Sequence, residues 1–302
     1  MRVQLSDALL KRAPNNNMVF LTGDLGFMAL EKIRDAMGTR FINAGVAEQN
    51  MMGVAAGLSR QDLDVWVYSI APFCYARPFE QVRNDICFHN LPVKLIGNGG
   101  GYGYGVQGPT HHAIEDYGVL LTLPNMTAFI PTFDEDIEFV IPVMAELQQP
   151  SYLRLGRGEK VPKGFVVPKY SAWRQLTSGG GDTLIAVGPI AGIYLEEFLA
   201  IPLDRRPNFW VISELPITLN PLPPELMGQI KSSQSLLVIE EHVERGSFAS
   251  EFMLYLCAQG LAPKKFKHFF AKKHTYERYG SQAYMREKSD LGVNKILGFL
   301  SE

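Results

Sequence analysis

Residues Asn43-Ala-Gly-Val-Ala-Glu48-Gln-Asn-Met-Met-Gly-Val-Ala-Ala-Gly57 put one carboxylate at the start of a helix otherwise built from small and apolar side chains. The run before them, Thr39-Arg-Phe-Ile-Asn43, has the character of a short strand. Glu48 is therefore expected just past the carboxyl end of a strand, the rim at which ligands bind in open α/β sheets. A glutamate in a first helical turn also has a plainer reading, as a partner for the helix dipole. The rest of the chain decides between the two.

On either side of this stretch, apolar and β-branched runs recur at Met18–Leu21, Arg40–Asn43, Asp64–Tyr68, Pro92–Gly97, Met126–Pro131 and Ser151–Leu155. Helical patterns lie between them at Phe27–Met37, Glu48–Leu58, Arg77–His89 and Asp134–Leu147. This alternation predicts a mainly parallel sheet with helices on both faces. It breaks at Gly156–Gly181, rich in Gly, Pro, Lys and Ser, which reads as a connector. A second series follows, with strands expected near Thr183–Val187, Phe209–Ile212, Leu236–Ile239 and Phe266–Phe270. The expectation is two doubly wound α/β domains with mainly parallel sheets: 1–157, a linker at 158–181, and 182–302.

Composition narrows the function classes. Hydrophobic residues make up 46% of the 302 and charged residues 20%, the balance of an ordinary globular protein. A net charge of -2 gives no global pull toward nucleic acid or anionic lipid. Three scattered cysteines with no CxxC pair argue against structural zinc and a disulfide framework. The first residues lack the apolar run of a signal peptide, and no stretch is long enough to span a bilayer. A soluble cytoplasmic protein without nucleic-acid or membrane partners is expected.

The segment Gly97-Asn-Gly-Gly-Gly-Tyr-Gly-Tyr-Gly-Val-Gln107-Gly-Pro-Thr-His111-His112 contains GxGxxG at Gly103, Gly105 and Gly108. A dinucleotide fingerprint turns tightly from strand to helix. Here the strand ends near Gly97 and Pro109 follows the last glycine, which disfavours that reading. Seven glycines between 97 and 108 let a backbone wrap closely around something. The dense polar group Thr110, His111, His112, Glu115 and Asp116 favours a ligand-contacting loop over a solvent loop. Neighbouring side chains in extended chain point to opposite faces, so the two histidines make a poor chelate. One facing a substrate and one satisfied in the core is the expectation.

Taken in order, AGVAEQNMMGVAAGLS, FCYARPFEQVRND and LPVKLIGNGGGYGYGVQGPTHHAIEDYGVLLTLPNM resemble the pyrimidine-binding domain of the transketolase family. SLLVIEEHVERGSFASE and YGSQAYMREKSDLG resemble its C-terminal domain. The chain looks like the C-terminal half of a split transketolase. The resemblance implies thiamine diphosphate, with magnesium or another divalent ion held mainly by a partner subunit. That partner is an N-terminal transketolase subunit carrying the diphosphate-binding domain, since a GDG motif is missing here. Two copies of each chain, a heterotetramer, are implied.

The resemblance also assigns roles. Glu48 matches the glutamate that hydrogen-bonds the pyrimidine and activates the cofactor, and burial would suit it to exchange a proton. Asp24 matches an aspartate near the cofactor; its plain reading is a cap for the helix after Gly26. Tyr75 falls where the principal stacking aromatic belongs, with Phe73 close by and Phe79 a further candidate. His111 matches a histidine facing the substrate oxygens, where donated hydrogen bonds stabilise developing negative charge. Arg157 matches an arginine on the sugar phosphate, a task suited to paired guanidinium donors. The implied activity is transfer of a two-carbon ketol unit from a ketose or ketose phosphate to an aldose, in carbohydrate metabolism.

Two departures bear on the substrate. The aspartate that precedes the GPTH signature is Gln107 here, and a histidine eight residues earlier is Gly99. Replacing an anion by an amide and removing an imidazole changes what the pocket prefers. The alternatives are the β subunit of a 2-oxo-acid decarboxylating dehydrogenase, a 1-deoxyxylulose-phosphate-synthase-like carboligase, and a non-catalytic scaffold. Glu240-Glu-His242-Val-Glu-Arg245 reads as structure, domain contact or dimer interface rather than a metal site.

Overall fold

In the computed structural model, which describes residues 1–26, 29–159, 161–272 and 278–300, the apolar runs become the strands of two sheets. The first holds β1 (Met18–Thr22), β2 (Phe41–Asn43), β3 (Asp64–Ile70), β4 (Lys94–Asn98), β5 (Thr127–Phe129) and β6 (Ser151–Leu155). The second holds β7 (Trp173–Thr177), β8 (Thr183–Val187), β9 (Asn208–Ile212), β11 (Leu236–Glu240) and β12 (Phe266–Phe270). β10 (Glu214–Leu215) leaves the second unit and pairs with β5, antiparallel. The strand orders are β10-β5-β6-β4-β3-β1-β2 and β12-β11-β8-β9-β7. Apart from β10 and β7, every pairing is parallel. The fold is the expected pair of mainly parallel α/β sheets.

Central strands are buried along their whole length, as sheets covered on both faces require: β1, β4, β6, β8, β9 and β11 expose no residue. The helices that cover the first sheet include α1 (Arg2–Arg12), α2 (Glu31–Met37), α3 (Glu48–Ser59) and α4 (Ala71–Tyr75). One hydrophobic cluster runs through both units, from Leu21 and Met51 to Ile185, Trp210 and Leu215. With β10 crossing over, the two sheets share a core instead of meeting across a solvated seam.

Besides β10, which no apolar run announced, the structure departs from expectation at three places. β7 lies inside 158–181, so the last part of the stretch read as linker is an edge strand of the second sheet. The region 77–89 is a short helical turn, Phe79–Gln81, followed by a π-helical stretch, Val82–Cys87. The helix expected from Phe27 begins at Glu31, and Phe27 and Met28 lie outside the described residues.

Candidate functional site

β1 and β3 are neighbours, with β2 on the far side of β1 and β4 on the far side of β3. The connections after β1 and β3 therefore run in opposite directions and open a crevice at the carboxyl ends of the strands. The segments after β1, β2, β3, β4 and β6 carry Asp24, Glu48, Phe73, the glycine-rich loop and Arg157. Five segments far apart in sequence thus converge on one rim.

Glu48 opens α3, whose buried residues are Glu48, Met51, Met52, Ala55, Ala56 and Ser59. That spacing is one helical stripe, so Glu48 belongs to the face that packs on the sheet and not to the solvent face. It is 3% exposed. Ala47 provides no side-chain cap, which leaves the first amides of α3 and their partial positive charge beside the Glu48 carboxylate. Arg77 Nη1 lies 2.7 Å from each Glu48 oxygen. The same guanidinium stands 4.2 Å from the centre of the Phe73 ring.

Phe73 then meets His111 edge-on, ring centres 5.2 Å apart. His111 is half-buried, with Nδ1 3.0 Å from Thr110 Oγ1. Partial burial, and then the positive charge of Arg77, hold its pKa below the usual imidazole value. A neutral ring that can donate one hydrogen bond is the outcome at neutral pH. Glu48, Arg77, Phe73 and His111 therefore form one continuous cluster.

His112 is buried, its Nε2 3.2 Å from the Gly105 carbonyl and its ring edge-on to Tyr102. The two histidines point different ways, but not through strand alternation: His111 ends the 3-10 turn Pro109–His111, and the chain becomes extended only at His112.

Asp24 sits at φ 47°, just past β1, and its N–H donates to Asn43 Oδ1 at 2.9 Å. Asn43 Nδ2 returns a bond to Asp24 Oδ1 at 3.1 Å, and Asn43 Oδ1 also accepts from Gly45 N–H at 2.9 Å. One amide side chain thus pins the turn after β1 to the turn after β2. Asp24 makes no cap for α2, whose start has no side-chain cap.

Of the three aromatics, only Phe73 joins the cluster. Tyr75 is 5% exposed, packs in the shared core and donates its hydroxyl to Glu115 Oε2 at 3.2 Å. Phe79 packs against the same core.

Beside the cluster, Arg157 is exposed at the rim of a cavity of about 390 Å³ lined also by Arg2, Asn98, Gly99, Tyr104 and Asp134. Gly99 has φ +79°, and a Cβ there would stand 2.2 Å from Tyr104 Cδ2. The Tyr104 ring fills the space where any longer side chain at 99 would go. Asn98 Nδ2 donates to the Tyr104 hydroxyl at 2.6 Å, and the Tyr104 ring lies edge-on to His111 at 6.3 Å. Gln107 is exposed on the short turn Gly105–Gln107, its N–H bonded to Tyr104 O at 2.8 Å.

Arg77 and Tyr104 were not among the expected site residues. Arg77 lies within FCYARPF, a segment read for its aromatics, and Tyr104 is hidden among glycines. The Glu240–His242 run is a domain contact: the Tyr117 hydroxyl donates to buried Glu240, and His242 stacks on the Tyr117 ring. His268 Nε2 at 2.8 Å and Ala249 N–H at 3.0 Å hold Glu240 within its own unit. Among the described residues, no group of three or more His, Cys, Asp or Glu side chains is arranged to hold a metal ion. No helix among them is long and apolar enough to cross a membrane.

Residues 4–161 match the family described as the transketolase pyrimidine binding domain. The chain is 29% identical over 265 residues to the B subunit of apulose-4-phosphate transketolase from Actinobacillus succinogenes, covering 85% of this chain and 83% of that one. It is 31% identical over 210 residues to the protein of the same name from Phocaeicola vulgatus, covering 65% and 66%. The solved structure of a split-gene transketolase, described as an inactive β4 tetramer, superposes with a TM-score of 0.78 at 26% identity, over 99% of this chain and 95% of that one.

Proposed function

The chain belongs to the transketolase family, and we propose that it is the C-terminal, β-type half of a split transketolase-like enzyme. The reaction is transfer of a two-carbon ketol unit from a ketose phosphate to an aldose, with thiamine diphosphate. The observation that carries the reading is the cluster of Glu48, Arg77, Phe73 and His111 at the mouth of the sheet. A scaffold has no use for a buried carboxylate beside a half-buried aromatic and a neutral imidazole.

The residues fit the cofactor's pyrimidine half. Glu48 presents a buried carboxylate to accept or share a proton with a ring nitrogen, and Phe73 offers a ring to stack against. With Tyr75 packed in the core, stacking falls to Phe73. When bound, thiamine diphosphate supplies the electron sink for carbon–carbon cleavage. This chain's part is to bind and orient the ring, and to donate a hydrogen bond from His111 to substrate oxygen. Asp24 and its Asn43 partner border the same crevice. Arg157, at the open rim, suits a phosphate, and Tyr104 lines the same cavity, with Gln107 exposed on the neighbouring turn as a further substrate contact.

Completion requires a partner. Both relatives are named as the B subunits of their enzymes, and the solved neighbour is an inactive tetramer of β chains. By analogy, a separate N-terminal subunit holds the diphosphate and its divalent ion, in an assembly with two copies of each chain in the cytoplasm. The relatives' names favour a phosphorylated ketose such as apulose 4-phosphate as the substrate class. The test is to mix this chain with the product of a neighbouring reading frame and assay ketol transfer from ketose phosphates. Turnover by the mixture and by neither chain alone supports the reading; decarboxylation of a 2-oxo acid instead would replace it.

A further inference from the structure

The second sheet's unit reaches into the loops of the site through a buried carboxylate. Glu241, just past β11, is 6% exposed. Its Oε1 accepts from the Tyr102 N–H at 2.5 Å and from Gln282 Nε2 at 3.0 Å, and its Oε2 accepts from Arg286 Nε at 2.8 Å. Arg286, 5% exposed, continues to Glu159 Oε1 at 2.6 Å, two residues past Arg157. One carboxylate and one guanidinium thus connect the glycine-rich loop, the segment after β6, and the helix Gln282–Lys288.

The glycines of the loop are what allow this approach. A Cβ at Gly101 would lie 2.7 Å from Glu241 Oε1, and one at Gly105 would lie 2.4 Å from the Gly280 carbonyl. A Cβ at Gly108 would meet the Tyr279 ring at 3.2 Å. At Gly105 backbone meets backbone, while at Gly101 and Gly108 the loop backbone meets side chains, and together Glu241 and the segment 279–282 line its underside.

We infer that Glu241 and Arg286 are positioning residues, through which the second unit fixes the loops that present Gln107, His111 and Arg157 to substrate. The inference rests on the substrate role proposed for those three. The physical reason is the cost of the arrangement. A buried carboxylate stays buried only while its donors are in place, so the donors, including a loop amide, are held in register. A loop free to shift by an ångström loses much of its contribution to catalysis. Simple cement between two domains is better made of apolar contacts, and the shared core already supplies those.

Two measurements test this on the full chain and the reconstituted pair. The variants are Glu241→Gln, which keeps shape and removes charge, and Arg286→Lys, which keeps charge but shortens the reach to both carboxylates. In hydrogen–deuterium exchange, amides in 101–112 are expected to exchange about tenfold faster, while β3 and β4 keep their protection. In the pair, KM for the sugar phosphate is expected to rise about tenfold, with kcat changed far less. Loop exchange unchanged in both variants overturns the inference. So does exchange that rises equally in β3 and β4, or a KM that stays at the wild-type value. Should one variant fail to fold, the other decides. If the wild-type pair shows no turnover, the functional reading fails, and the exchange experiment alone decides whether the clamp exists.

Discussion

A single nitrogen of Arg77, Nη1, lies 2.7 Å from both carboxylate oxygens of Glu48. Glu48 is buried and the Arg77 side chain is 42% exposed, so the pair reaches from the core of the rim to its surface. Sequence patterning explains the buried end, because Glu48 falls on the packing stripe of α3. It does not explain the exposed end, because Arg77 arrives from the segment after β3, across the crevice. Among the described residues, Arg77 is the cation that pairs with this buried carboxylate.

Removing Glu48 should therefore affect chemistry and structure in different ways. Glu48→Ala in the reconstituted enzyme is expected to lower kcat by at least ~100-fold, since the cofactor-facing acid–base group is gone. Steady-state assay with a ketose phosphate checks it, and a variant near full speed removes Glu48 from the mechanism.

Arg77→Met leaves the buried carboxylate without its cation. A loss of about 1–2 kcal/mol in the stability of the isolated chain is expected, below the figure for a fully buried pair because Arg77 is partly solvated. Urea denaturation of the variant beside wild type measures it. Equal midpoints would mean that water satisfies Glu48 as well as the guanidinium does.

The close approach at Gly99 makes a prediction about coupling. Gly99→Ala carries two penalties, a left-handed backbone at φ +79° and a clash with the Tyr104 ring. Only the second is relieved by Tyr104→Ala. The double variant is expected to recover at least about 1 kcal/mol relative to the sum of the single changes. Strict additivity would show that the ring does not block position 99.

His111 should titrate below its usual midpoint, because burial and Arg77 both oppose its charged form. The sign of the linkage follows. With the folded pKa depressed, the unfolded chain binds more protons, so the contribution to stability is retained above about pH 6.5 and is lost as pH falls below it. Buried His242 is shifted in the same direction and adds to the loss. An NMR titration of the His111 ring is expected to give a midpoint below that of free histidine, and Arg77→Met should raise it. A midpoint at or above the free value contradicts the geometry.

Gln107→Asp restores an anion beside the GPTH signature. The expected result in the reconstituted enzyme is a shift of kcat/KM toward ordinary ketose phosphates. An unchanged donor and acceptor profile would remove Gln107 from the substrate pocket.

Much of the fold was legible because its signals are local. The strands at Ser151–Leu155, Thr183–Val187 and Phe266–Phe270 coincide with apolar runs that need no partner to be recognised. β7 and β10 were not legible. Trp173-Arg-Gln-Leu-Thr177 sits in a glycine- and proline-rich stretch, and it is a strand because β9 offers an edge to pair with. Glu214–Leu215 has no strand signal of its own and exists through its pairing with β5. The site divides in the same way. The sequence order brings Glu48, Phe73 and His111 to one rim, whereas the Arg77 contact that links Glu48 to Phe73, the burial of Tyr75 and the Tyr104 ring over Gly99 depend on where separate loops meet. The role of Glu241 is the clearest case, because only the fold brings the residue after β11 beneath a loop 139 positions earlier, at Tyr102.

If the cluster around Glu48 is one half of a thiamine diphosphate site, the cofactor should bind only when the other half is present. Calorimetric titration of thiamine diphosphate with magnesium reads this out, first into this chain alone and then into its mixture with the neighbouring reading frame's product. Tight binding by the mixture, with none by this chain alone, is the predicted result. No binding by the mixture would contradict the assignment and leave the cluster around Glu48 without its ligand.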